Sequence, residues 1–383
     1  MTVQASQAPT QRTEPLDIRA DVGIIGAGPA GLATAIHLGQ LGVERVVVVD
    51  RHDFPRDKTC GSAVSPKGIA VLKELGAGEA VAAAAYWIKG LRLVTPGDRE
   101  LVLSGYTNAA LICCRRTLDH LLLQRARSLG VRFIGDFQAS YLLARNDRVA
   151  GFRGVDGREV HAKHTVVANG AHSQFCIDRG RRRLIQAIMG WWEGVTFQPH
   201  HIEMVFDRMV KPFYGWLFPE APGRVNIGIC YEDMPLEKNA RQLFAQFLDK
   251  HYRDRLRGAH QVGGWKGHPV AYASPIGALA SPGRIVVGEA GRMTHPATAE
   301  GIYQGMRSGM LAAEALRDIL RGNAEEGAAQ ARYEAACRKS FSRSLRGAFV
   351  WRRFVSLGGL DLLAGAVNRP VVRRQLARGM AQM

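Results

Sequence analysis

Apolar residues in this chain come in short runs broken by glycine. DVGIIGAG, from Asp21 to Gly28, reads as a buried strand entering a turn, since a brief continuous apolar run suits a strand covered on both faces. PAGLATAIHLGQLG then carries apolar positions at helical spacing, and RVVVVD is a second buried strand ending on Asp50. Strand, helix and strand predict a βαβ unit. RRTLDHLLLQRARSLG predicts a helix with an apolar stripe, and LRLVTPGDRELVLSG a hairpin turning at Pro96, Gly97 and Asp98. Short alternating strands follow from Val131 to His164, with turns at Asn146-Asp147 and Asp156-Gly157. TVVANGAHS is another buried strand entering a glycine turn. Residues 181–270 read as strand-rich with one helix near EKNARQLFAQFLDKHYRDRL. GRIVVGEAGRMTHPATAEGIYQGM returns to strand, loop and helix, the helix expected from Pro296.

Strand–helix units thus stand at the start, near residue 115 and near residue 285, with β-rich segments between. The expected class is α/β: a Rossmann-like nucleotide domain of discontinuous segments (21–85, 105–178 and 275–325), an inserted β-sheet substrate domain (86–104 and 179–274) and C-terminal helices (326–383). Residues 1–20 are polar and read as a disordered tail, not a signal peptide. With no apolar run of about 18 residues, no transmembrane helix is expected.

Gly26, Gly28 and Gly31 stand at G-x-G-x-x-G spacing between the first strand and helix. Gly26 suits the tight turn, Gly28 lets backbone approach a pyrophosphate, and Gly31 lets helix lie close on strand. Pro29 and Ala30 complete the turn, whose free N–H groups can hold phosphates. Asp50 can accept from a ribose hydroxyl. NAD and FAD share this pattern.

Lys and Arg number 51 against 34 Asp and Glu, a net charge of +17. Such a balance suits nucleic acid, an anionic membrane or phosphate-bearing small molecules. No helix-turn-helix, zinc or aromatic RNA motif supports nucleic acid. The six cysteines form no CxxC pair, so no metal is expected, and they read as reduced thiols of a cytoplasmic protein. The Arg179–Leu184 run, RGRRRL, reads as a solvated charge run or a contact for the phosphates of NADPH. The stretch from SLRGAFVWRRF onward is basic and apolar together, which suits peripheral membrane contact or a helical cap on the β domain.

Three segments carry a family resemblance. DRHDFPRDKTCG (Asp50–Gly61) is similar to an acid-Arg-x-x-x-P-R-x-K-x-C-G stretch. GEAGRMTHPATAEGI is similar to the flavin motif G-D-A-A-G-x-x-x-P-x-x-G-E-G-I. YGWLFPEAPGRVNIGIC is similar to Y-x-W-x-F-P followed, after seven or eight residues, by G-x-G. The chain resembles FAD-dependent enzymes of the aromatic-hydroxylase fold, and among them the geranylgeranyl reductase branch. It departs from those motifs at Glu289 (for Asp), Gly291-Arg292, Ala299 (for Gly) and Cys230 (for Gly), and in ANGAHS it has Asn169 where the family usually has Asp.

The resemblance implies FAD lying across the domain. Its contacts would be Gly26, Gly28, Pro29, Ala30, Gly31, Asp50, Arg51, Cys60, Gly61, Arg115, Gly170, Gly288, Glu289, Pro296, Gly301 and Ile302. Cys60 and His295 are the catalytic candidates, although Cys60 reads equally as a small buried residue and His295 as a loop histidine. Tyr214, Trp216 and Phe218 alternate, so on a strand they share one face. They are expected to wall an apolar small-molecule site, or else to be core. The implied activity is reduction of a carbon–carbon double bond with NAD(P)H as donor. The alternative is a monooxygenase or halogenase, for which no tunnel lysine can be placed from the sequence.

Overall fold

The computed structural model describes residues 17–104, 110–178, 180, 183–232 and 239–366. Its first sheet is built around the strand Asp17–Ile25. This strand lies between Val46–Val49 and Glu159–Val167 and runs parallel to both, with Val22 opposite Val46 and His164. Arg132–Ile134 and Arg284–Val286 extend the parallel set on either side. Residues 17–20 therefore belong to the sheet, not to a loose tail: Ile18 and Ala20 are buried and pair with Val160 and Ala162. Because the five strands are parallel, their carboxyl ends lie along one edge. The loops at Gly26, Asp50, Ala168 and Val287 gather there, where open α/β sheets bind ligands.

The second sheet follows the order His260–Gln261, Arg183–Glu193, Arg224–Tyr231, Gly215–Ala221, His201–Val205, Gly90–Val94, Glu100–Ser104, and Lys266–Tyr272 also pairs with Arg183–Glu193. Alternation divides its two faces. Leu217, Ile227 and Ile229 meet the helix Ala240–Leu256, which contributes Leu243, Phe244, Phe247 and Tyr252. Gly215 lies on that face, and a Cβ there would come within 2.0 Å of the Phe247 ring. Trp216, Phe218 and Cys230 point the other way. Tyr86–Ile88 does not join this sheet as expected. It pairs with Ala110–Ile112, which also pairs with Ala63–Val64, in a separate three-stranded sheet that packs against Gly215–Ala221.

The helix Pro29–Gln40 packs along Ile302–Leu320. The helix Glu326–Ser356 then spans about 46 Å at 1.5 Å per residue. It buries Tyr333, Cys337, Phe341 and Leu345 in the core of the nucleotide domain and Val355 in that of the second sheet.

Candidate active site

One cavity of about 1240 Å³ lies between the carboxyl edge of the parallel sheet, the second sheet and the Glu326–Ser356 helix. Small-ligand pockets are commonly about 300–1,000 Å³, so there is room for an extended dinucleotide and a second molecule. Gly26, Gly28, Pro29, Ala30, Asp50, Arg51, Cys60, Gly61, Arg115, Gly170, Glu289, Gly301 and Ile302 line it, as do His295, Tyr214, Trp216 and Phe218. Gly31, Gly288 and Pro296 are not on its wall. Gly31 serves packing: a Cβ there would fall 1.9 Å from the Gly26 carbonyl oxygen. Gly288 has φ +60°, and its Cβ would lie 2.8 Å from that of Ala30.

Asp50 holds the glycine turn. Its Oδ2 accepts from the Ala27 N–H at 2.9 Å, and its Oδ1 from the His52 N–H at 3.1 Å. Arg56 bridges Asp50 and Asp119, at 3.3 and 3.2 Å. Asp119 also takes both branches of Arg115 at 2.7 Å, in a fork of the kind guanidinium and carboxylate favour. Arg115 thus reaches the Gly28 turn with its charge already balanced; a Cβ on Gly28 would lie 3.6 Å from its Nη2.

Lys58 is a residue the sequence reading passed over. Its ammonium meets His268 Nε2 at 2.8 Å, and it forms no ion pair among the described residues. Burial, aided by the Arg115 charge, lowers its pKa to about 8, and burial with the Lys58 charge takes His268 down to about 3. His268 is therefore neutral and accepts the Lys58 proton. Lys67 lies on the cavity wall too. Two lysines thus face the cavity where the sequence reading placed none.

A lysine lowered in this way makes its stability contribution above pH 10.5 and loses it as pH falls through about 8. The FAD-free protein should consequently gain thermal stability from pH 8 to 10 relative to Lys58→Met. Parallel melting curves for the two proteins over that window would refute the assignment.

Glu289, in the place of the motif's aspartate, reaches one methylene further. Its Oε1 accepts from the Ala271 N–H at 3.0 Å, which ties the loop to the second sheet. Burial raises its pKa, opposed by Lys58. Arg292 uses its extra length similarly, donating to the carbonyls of Gly180 and Asp178 at 2.9 and 2.8 Å.

Residues 294–301 remain a loop. The helix expected from Pro296 begins only at Ile302, with Gly301 as its N-cap. The His295 ring holds the loop: Nδ1 accepts from the Thr298 N–H at 3.2 Å, and burial lowers its pKa to about 4. Ala299 sits at φ +55°, where the motif has glycine. A left-handed alanine costs roughly 1 kcal/mol, so Ala299→Gly should raise the urea midpoint. A lower midpoint would show that the alanine methyl contributes more by packing than it costs.

Tyr214, Trp216 and Phe218 form a continuous wall, with ring centroids 6.3 and 5.9 Å apart in sequence order. The Tyr214 hydroxyl donates to the Thr298 carbonyl at 2.6 Å, and Trp216 Nε1 to Asn226 Oδ1 at 2.7 Å. Their polar atoms are thereby satisfied, and the cavity receives ring surface. Gly61 abuts this wall, since its Cβ would be 3.3 Å from Phe218.

The donors fit FAD. The helices beginning at Pro29 and Ile302 both lack a side-chain cap, and both starts line the cavity. Their free N–H groups favour negative charge. Thr294 Oγ1 and Gln304 Oε1, on the same wall, are buried with no hydrogen-bond partner among the described residues. Among the described residues no cluster of three or more His, Cys, Asp or Glu could hold a metal.

A parallel sheet with a glycine turn at its carboxyl edge, joined to an aromatic-walled sheet, defines a dinucleotide-binding protein. The FAD binding domain family model matches residues 19–255. The chain belongs to that family and is an FAD-dependent oxidoreductase. Menaquinone reductase of Mycobacterium tuberculosis is 31% identical over 337 residues, covering 80% of this chain and 79% of that protein. Digeranylgeranylglycerophospholipid reductase 2 of Methanothermobacter thermautotrophicus is 27% identical, covering 89% of each. A geranylgeranyl bacteriochlorophyll reductase-like protein of Thermoplasma acidophilum shares the fold with a TM-score of 0.81, at 21% identity and 91% coverage of each chain. A flavin-dependent brominase shares it at 0.78, with 19% identity over 95% of this chain and 93% of that one.

Proposed function

We propose that the protein reduces a carbon–carbon double bond in an apolar, isoprenoid-bearing substrate, with electrons from NAD(P)H. The observation that carries this reading is the wall of Tyr214, Trp216 and Phe218 in the cavity that also receives the glycine turn. FAD, once reduced, supplies hydride. In this reading the Gly28 turn, Arg115 and Lys58 hold its diphosphate, while Asp50 meets the adenosine ribose. Gly170, Glu289, Gly301 and Ile302 border its ribityl and flavin portion. The Ile302 helix start stabilises negative charge beside it. The aromatic wall excludes water and seats the hydrocarbon. Cys60 lies against Arg115 and two residues from the buried Ser62, at the meeting of cofactor side and aromatic wall. His295, neutral and bonded to Thr298, positions the loop instead of donating a proton.

The test is anaerobic incubation of the yellow protein with NADPH or NADH and menaquinone or a geranylgeranyl lipid. A product still heavier by two hydrogen atoms after the quinone ring has been reoxidised supports the reading. NADPH consumption that requires oxygen and yields hydrogen peroxide without reduced product would overturn it. Trp216→Ala should raise KM about tenfold or more while FAD stays bound, since a fully buried aromatic contributes roughly 2–3 kcal/mol of apolar contact. An unchanged KM would remove the wall from the substrate site.

A further inference from the structure

The helix Glu326–Ser356 turns one side to the cavity and the other to solvent. Phe341, Leu345, Ala348, Trp351 and Phe354 line the cavity. Lys339, Arg343, Arg346, Val350 and Arg353 are exposed, and Leu357 follows at the helix end. Their spacing alternates four and three, which on a helix of 3.6 residues per turn keeps them in one narrow stripe. Val350, Leu357 and Leu362 are 71, 73 and 77% exposed. These are three of the six large apolar side chains exposed among the described residues. Val350 also reaches the cavity, and Trp351, Phe354 and Leu363 line it, so the exposed apolar groups stand at its rim.

Charge follows the same line. Between Glu334 and Asp361 the sequence has six cations and no acid. Asp361 is turned inward, accepting from the Gly97 N–H at 3.0 Å and from Thr95 Oγ1. Arg338 pairs with Glu334, and Arg352 with Glu232. Lys339, Arg343, Arg346 and Arg353 form no ion pair among the described residues, and no helix there is long and apolar enough to cross a membrane. Cations interleaved with protruding aliphatic groups match an anionic lipid surface: phosphates meet the cations, and the aliphatic groups enter the interface. A nucleic acid would use the charge and leave the leucines in water.

We propose that this stripe docks the protein on an anionic bilayer, with Val350, Leu357 and Leu362 in the interface and the cavity rim facing the lipid. The proposal draws on the apolar-substrate reading only for its purpose, entry of substrate from the membrane; docking is measured without turnover.

The test is flotation of the FAD-loaded protein with phosphatidylcholine vesicles, with and without phosphatidylglycerol. Wild type should prefer anionic vesicles and leave them at high salt. Each cation near such a surface is worth about fivefold in binding, so Arg343→Glu/Arg346→Glu/Arg353→Glu should lose at least about 100-fold. Leu357→Asp/Leu362→Asp should weaken binding at any salt. Flavin absorbance verifies folding of each variant. Equal binding to neutral vesicles, or a triple variant that binds as wild type does, would overturn the proposal. So would a concentration-dependent doubling of mass that Leu357→Asp abolishes, since it would give the stripe to a second copy of the chain.

Discussion

Gly28→Val should yield a folded, colourless protein. The Gly28 backbone, at φ −81° and ψ −178°, is one that valine adopts freely. The nearest atom to an added Cβ is Arg115 Nη2, at an ordinary 3.6 Å. The neighbouring glycines differ. Gly26 has φ +104° and carries Ala168 O 2.6 Å from its Cβ position, and Gly31 meets the Gly26 carbonyl. Substituting either would disturb the protein itself. At Gly28 a side chain enters only the space that a diphosphate needs for close approach. Two charge-assisted hydrogen bonds at about 1.5–3 kcal/mol each would go unmade, a loss of at least about 100-fold in FAD affinity. Circular dichroism and a melting curve close to wild type, with no FAD in the acid supernatant, is the expected pair of results. A yellow variant with wild-type affinity would move the diphosphate elsewhere.

Asp119→Ala should produce the largest loss of stability. Asp119 is fully buried and joins Arg115 to Arg56, which in turn holds Asp50 against the glycine turn. Without the carboxylate, Arg115 keeps a buried charge with its fork unmatched. Removing one member of a buried pair costs about 3–5 kcal/mol. Asp119→Asn retains a hydrogen-bond acceptor and should lose less. Urea denaturation of the FAD-free proteins checks the order wild type, Asn, Ala. An alanine variant within about 1 kcal/mol of wild type would show that water reaches the site and replaces the carboxylate.

What could be read from the sequence follows from how local its cause is. The first strand, turn and helix were legible because Gly26, Gly28 and Gly31 act within six residues and Asp50 closes the next strand. The shared face of Tyr214, Trp216 and Phe218 followed from strand alternation, and the structure sets all three on the cavity. The start of the last nucleotide-domain helix was misplaced because residues 296–301 are shaped by distant groups, such as the Tyr214 hydroxyl on Thr298. Lys58 and His268 meet across 210 positions, and no local pattern announces such a pair. Residues 17–20 look polar alone and become strand through Val160 and Ala162. Half of the basic run Arg179–Leu184 lies outside the described residues. The wall formed by the last long helix was hidden because its cavity face and its cationic face are interleaved in one sequence.

The packing of Pro29–Gln40 on Ile302–Leu320 also bears on how the chain is made. The ribosome releases the first helix early, yet its main helical neighbour is about 260 residues behind it. Such distant pairing slows folding and leaves intermediates sticky. Nascent chains halted before residue 300 should carry the Ala30, Thr34 and His37 face uncovered, and should be cut rapidly by protease within the first helix. Protection should arrive together with the segment 302–320. The cofactor turn is thus synthesised well before the segment that secures it, which favours FAD loading after release over loading during translation.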